Sequence, residues 1–208
     1  MLNIMRKVID IDNSEVLYDR QFNQSELQLY WKVCGGEWWV EGEWLTGKNP
    51  ENAPGILISK EDYRGNVILD FEARTVIPSS HDIDCMWNGS WDEDKNERGV
   101  AYVAGIEGWW EGKVGFEKSP EYKFNALTPL MDFKPGRIYH IQVGSIDGHC
   151  FIFIDGKLAL EFTDPEPIDS QRYAKVGFEA YCSHIQIRNL KIRRIRWEFV
   201  DSYYKLEI

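Results

Sequence analysis

The chain predicts an all-β fold, a two-sheet antiparallel jelly-roll sandwich, and three observations carry that expectation. Apolar and polar residues alternate with period two along much of the chain, as strands with one buried face require. About fourteen such runs recur at roughly 8–12-residue spacing between turn residues, and none carries a convincing helical period. The clearest stretch, residues 137–162 (RIYHIQVGSIDGHCFIFIDGKLALEF), reads as three strands joined at Asp147-Gly148 and Asp155-Gly156. Asp-Gly is a strong hairpin signal because the tight turn needs positive φ, which Gly adopts without steric cost.

The elements follow in order. Residues 16–22 and 27–33 are expected as strands around a polar turn at 23–26, and the Trp-rich stretch 35–45 as short strands between glycines. Residues 48–55 hold Asn, Pro and Gly and read as a loop, followed by a strand at 55–59. In the strand at 66–77, Leu69, Phe71 and Ala73 oppose Asp70, Glu72 and Arg74. The strand at 82–88 sets Ile83, Cys85 and Trp87 against Asp82, Asp84 and Asn88. A polar loop spans 89–99, then strands are expected at 100–106 and 109–117, and a covering loop at 119–135. In the 109–117 strand Trp110, Val114 and Phe116 oppose Trp109, Glu111, Lys113 and Glu117. Within the central meander Tyr139, Ile141, Leu158, Leu160 and Phe162 are core candidates, and Cys150 to Ile154 is apolar on both faces. Strands at 174–181 and 184–196 close the chain, the last carrying Arg188, Lys191, Arg193, Arg194 and Arg196 as a solvated strand edge.

The 208 residues suit a single β-sandwich domain spanning 1–208. A net charge of −10 argues against nucleic acid and anionic membrane as partners, because phosphate binding needs a surplus of Lys and Arg. The first residues hold no apolar run long enough for a secretion signal, and Arg6 comes early. Cys34, Cys85, Cys150 and Cys182 are widely spaced, with no C-x-x-C pair, so reduced thiols and a cytoplasmic location are expected. No phosphate-binding glycine loop, nucleophile elbow or H-E-x-x-H motif is present, and the residues point to no particular cofactor or metal.

The candidate chemistry lies in three strands, 66–77, 82–88 and 109–117, each with one charged face. If they are neighbours in one sheet, Asp70, Glu72, Arg74, Asp82, Asp84, Glu111, Lys113 and Glu117 share a surface bordered by Trp109, with Trp91 in the adjoining loop and His81 at the strand entry. Carboxylates beside an indole suit a sugar ring, whose C–H face stacks while its hydroxyls bond to the acids. The bland alternative is the solvated outer face that an antiparallel sheet usually carries.

The front segments WKVCGGEWWVEGEWL and GILISKEDYRGNVILDFEART, with the back segments RIYHIQVGSIDGHCFIFIDGKLALEFTDPEPI and AKVGFEAYCSHIQIRNLKIRRI, resemble the concanavalin A-like lectin/glucanase superfamily. The likeness is strongest to its 3-keto-disaccharide-hydrolase-like and uncharacterised sugar-cluster domains. It covers nearly the whole chain through framework motifs. Laminarinase-type members carry Glu-x-Asp-x-x-Glu, and the nearest match here runs from Asp82 through Asp84 to Trp87. With Trp87 in the last place, the two-carboxylate retaining mechanism is not supported.

The resemblance implies a carbohydrate ligand and an activity on a glycoside or 3-keto-glycoside. Asp84, Glu111 or His81 would serve as base, and Lys113, Arg74 or a metal would stabilise an enolate. Glu72, Arg74, Asp82, Trp91, Trp109 and Glu117 would bind substrate. Two alternatives stand beside it. One is a non-catalytic carbohydrate-binding module; the other is a structural subunit whose aromatic surface docks a partner or builds a homo-oligomer.

Overall fold

The computed structural model describes residues 1–51, 53–108, 113–121, 125–129 and 132–200. Before the first long loop the chain forms β1 (Leu2–Ile4), β2 (Lys7–Ile9), β3 (Glu15–Asp19), α1 (Gln24–Tyr30), β4 (Trp31–Val33), β5 (Glu37–Glu41) and β6 (Trp44–Asn49). The middle holds β7 (Gly55–Ser59), β8 (Val67–Thr75), β9 (Ile83–Gly89), the small hairpin β10 (Trp91–Asp92) and β11 (Glu97–Arg98), β12 (Ala101–Ile106), β13 (Val114–Ser119) and β14 (Asn125–Thr128). Then come β15 (Tyr139–Ile146), β16 (His149–Ile154), β17 (Lys157–Thr163), β18 (Lys175–Ala180), β19 (Ser183–Arg194) and β20 (Trp197–Phe199).

Two antiparallel sheets make the sandwich. One has seven strands in the order β14-β13-β12-β9-β18-β7-β4, and the other has eight, β17-β16-β15-β8-β19-β6-β5 with β3 joined to β19. Their inner faces meet in one core built from Leu69, Phe71, Trp87, Tyr102, Phe116, Tyr139, Ile141, Ile152, Phe178 and Ile187, among others. This is the expected all-β sandwich. Both Asp-Gly turns form as expected, with φ of 49° and 81° at Asp147-Gly148 and 51° and 74° at Asp155-Gly156. Among the described residues, no helix is long and apolar enough to cross a membrane.

The strand β16 explains its own two-sided apolarity. Cys150 and Ile152 enter the core, while Phe151 and Phe153 point the other way. A third layer covers them, a small sheet in the order β1-β2-β20 that joins the N-terminal strands to Trp197–Phe199. Ile4, Ile9 and Ile195 pack there on Ile68, Phe151 and Phe153. His149 pins that layer down: Lys7 Nζ donates to its Nδ1 at 2.9 Å, so Nε2 carries the proton facing Glu161 at 3.0 Å. Lys7 also lies 5.7 Å from the Trp197 ring centroid.

Four expectations need correction. Residues 24–30 form a helix rather than a turn and strand, because Asn23 caps it by accepting a hydrogen bond from the Glu26 N–H at 3.0 Å. The residues 89–99, expected as loop, contain the β10–β11 hairpin. Leu158 is 36% exposed, because a bulge pairs Ile152 with Leu160 but Phe153 with Leu158 and turns Leu158 away from the inner face; Leu160 and Phe162 stay against the core. The basic strand β19 is no edge: it lies between β8 and β6, and Arg188, Lys191, Arg193 and Arg194 each meet a carboxylate.

Candidate functional site

The three charged strands do not share a sheet. β8 belongs to the eight-stranded sheet, whereas β9 and β13 lie in the seven-stranded sheet with β12 between them. The predicted surface therefore divides into two, on opposite sides of the sandwich. Period-two alternation reports which side of its own strand a residue occupies, and it says nothing about which sheet the strand joins.

On the outer face of the eight-stranded sheet, Glu72 and Arg74 stand with Asp70, and each is already engaged. Asp70 meets His140 Nε2 at 2.7 Å, Gln142 Nε2 at 3.0 Å and Arg193 at 3.4 Å. Glu72 takes the Arg188 Nε–H at 2.6 Å, and Arg74 donates twice to Gln186 Oε1. The two guanidiniums lie 4.5 Å and 4.4 Å from the Trp44 ring, so neighbouring cations already occupy that indole. A cleft of about 460 Å³ runs past Asp19, Asp70, Glu72, His140 and Arg193, and its walls are ion pairs.

The outer face of the seven-stranded sheet is different. Register sets Asp84 of β9 beside Glu179 of β18 and Gly105 of β12, and sets Val103 between Met86 and Glu117. Asp82, Asp84, Glu117 and Glu179 are all buried. Asp82 enters β9 with φ of 72°, a left-handed conformation that Asp tolerates better than most residues. Its Oδ2 accepts the Tyr181 N–H at 2.8 Å, and the Asp84 carboxyl stands beside it, both Oδ1 atoms lying against Gly108.

Arg98 reaches across from β11. Its Nη2 donates to Glu117 at 3.0 Å, its Nη1 to Glu179, and its Nε to Ser119 Oγ at 3.2 Å. One guanidinium thus spans from β13 to β18, above β12 and β9, and ties the β10–β11 hairpin onto the sheet. Trp91 of the same hairpin packs on Ile56, Ile58, Met86, Ala101 and Val103.

Two buried polar atoms on this face find no hydrogen-bond partner among the described residues, Asp84 Oδ1 and Trp91 Nε1. A buried unpaired polar atom costs roughly 1–3 kcal/mol, so such atoms are rare and mark places where a ligand or water completes the structure. Burial, and after it the charge of Glu179, pushes the Asp82 carboxyl up to about 7. Burial first, then Asp82 and Glu179, hold Asp84 well above the ordinary 3.8. Two adjacent desolvated carboxyls cannot both ionise cheaply, so the pair retains a proton near neutrality. Gly108 lies against them: a Cβ there would stand 3.0 Å from Asp82 Oδ1 and 3.1 Å from Asp84 Oδ1.

Of the other predicted residues, His81 is half-buried in the bend before β9, and Lys113 is half-buried just ahead of β13. Glu111 and Trp109 lie outside the described residues. Trp87 is fully buried in the core and donates to Ser145 Oγ, so no carboxylate completes the laminarinase-like motif. Among the described residues no three His, Cys, Asp or Glu side chains converge as metal ligands.

Sequence reasoning missed Glu179 and Arg98. Glu179 left a signal, the one acid in the strand Lys175–Ala180, set between apolar residues where a buried position must supply a partner. Arg98 left none, because nothing local shows that a loop arginine crosses four strands.

No family model and no curated protein matches the chain. Solved structures do. A protein of unknown function with a galectin-like fold from Bacillus subtilis superposes with a TM-score of 0.72 at 12% identity, over 90% of this chain and 99% of that one. The carbohydrate-binding module CBM66 from Bacillus subtilis gives 0.59 at 13%, covering 78% and 94%. A suspected glycosyl hydrolase from Parabacteroides distasonis gives 0.57 at 14%, covering 80% and 89%. At these identities the likeness establishes the fold alone, an all-β sandwich of the galectin-like kind.

Proposed function

We propose that the protein is carbohydrate-active and that its site is the acidic outer face of the seven-stranded sheet, with Asp84 as general acid and base. The observation that carries this reading is the Asp84 carboxyl itself: 4% exposed, beside Asp82, with Oδ1 unpartnered among the described residues. A carboxyl that keeps its proton near neutrality can give it to a departing glycosidic oxygen and recover it from water. The same group, deprotonated, can abstract a proton beside the carbonyl of a 3-keto-glycoside. Asp82 stabilises either state by sharing the proton. The carbohydrate-binding and glycosidase structures that share the fold support a sugar as ligand.

A second reading, a non-catalytic binding module, is favoured by the likeness to CBM66 and by Arg98, which occupies Glu117 and Glu179. Turnover of oxidised and unoxidised disaccharides by wild type and Asp84→Asn separates the two. A catalytic Asp84 loses roughly 10²–10⁴-fold in turnover on substitution. Binding without consumption of any glycoside by the wild type would leave the binding module standing. The four unpaired thiols support a reducing compartment, such as the cytoplasm.

A further inference from the structure

We propose that the sugar unit seated against Asp84 carries a free amino group, and that glycans bearing carboxylate or sulfate are excluded. This rests on the acidic face being the carbohydrate site. Asp82, Asp84, Glu117 and Glu179 are four buried acids, and among the described residues the cation within bonding distance of them is Arg98. Arg98 bonds to Glu117 and Glu179, which lie on either side of β12 and β9, and not to Asp84. The place left for a ligand's donor is therefore Asp84 Oδ1, a buried acceptor with no donor among the described residues.

A hydroxyl would satisfy that oxygen. An ammonium would also supply the positive charge that the Asp82–Asp84 pair lacks, replacing the proton the two carboxyls otherwise share. In a desolvated site this difference is large, because charges are weakly screened there. A uronate or sulfate would set like charges together where no water relieves them. Gly108 packs directly on the pair: a Cβ there would stand 3.0 Å from Asp82 Oδ1 and 3.1 Å from Asp84 Oδ1, so a side chain at this position would press on both oxygens.

The test is calorimetric titration of EDTA-treated protein with four tetrasaccharides: glucosamine, N-acetylglucosamine, galacturonate and neutral cellotetraose. Salt is kept near 0.3 M so that long-range attraction to the acidic protein is screened. The glucosamine oligomer is expected to bind about tenfold or more tighter than the N-acetylated and neutral oligomers, with no detectable uronate binding. Asp84→Asn should collapse that preference, and so should Gly108→Ala, whose Cβ crowds both Oδ1 atoms and keeps every charge. Circular dichroism establishes that both variants are folded. Equal or tighter binding of N-acetylated or uronate oligomers overturns the proposal and leaves the carbohydrate reading intact. So does an amine preference that survives both substitutions, which would be attraction to the protein's overall charge. Binding that needs a metal, lost on EDTA treatment, overturns it too. Absence of binding to all four oligomers, and to a wider glycan array, overturns both readings.

Discussion

The two outer faces of the sandwich began as one pattern. In β8 the residues Asp70, Glu72 and Arg74 alternate with core residues, just as Asp82 and Asp84 do at β9. Yet the eight-stranded sheet pairs Asp70 with Arg193 and Glu72 with Arg188 in reach of water, whereas the seven-stranded sheet buries four acids, two of them on Arg98, and leaves Asp84 Oδ1 without a partner among the described residues. Water and mobile counter-ions neutralise the first face at little cost. The second has only what the fold supplies, so each mismatch persists as raised proton affinity or an unpaired atom. Charge alone does not mark a site; charge without its usual compensation does.

The sharpest way to break this contrast is to remove the strap. Arg98→Met leaves Glu117 and Glu179 buried without their guanidinium, and the expected loss is about 3–5 kcal/mol in urea unfolding. Arg188→Met on the other face removes an equally well-formed pair with Glu72, but that pair is partly exposed and the expected loss stays under about 1 kcal/mol. Similar losses from both would show that the two faces are energetically alike.

A smaller effect sharpens the comparison through pH. Asp82 and Asp84 hold protons to higher pH in the folded chain than at their ordinary 3.8. The folded state therefore binds more protons between about 4 and 7, and native stability falls as pH rises through that window. Asp84→Asn removes this penalty, so its melting temperature should exceed that of wild type at pH 8 by several degrees, and by less at pH 5. Asp70→Asn should show no such gain. A gain for Asp84→Asn that is independent of pH would mean the carboxyl titrates alike in the folded and unfolded chain, and would overturn the raised proton affinity.

The smallest effect belongs to the terminal layer, which covers the apolar part of the eight-stranded outer face. Burial, then Lys7, lowers the affinity of His149 for a proton. The unfolded state thus binds more protons just below the ordinary 6.5, and stability should fall as pH drops through that range. His149→Gln should flatten the acid limb of the stability curve by roughly 1 kcal/mol or less. Hydrogen exchange at β2 that is faster at pH 5, after correction for intrinsic rates, would locate the loosening.

Local chemistry was enough for much of this protein. Asp-Gly fixes two hairpins because only certain residues accept positive φ, and alternation assigns Tyr139, Ile141 and Phe71 to the core because strands present every second residue to one side. The cap at Asn23 was equally local and could have been read from Asn-x-x-Glu. What the tertiary structure alone decided is which strands are neighbours, and with that which charges meet. Glu117, Asp84 and Glu179 come from segments far apart in the chain, and Arg98 reaches two of them from the small β10–β11 hairpin. Strand pairing is selected by the whole core at once, so a residue's face is written locally while its partners, and hence its protonation and its chemistry, are not.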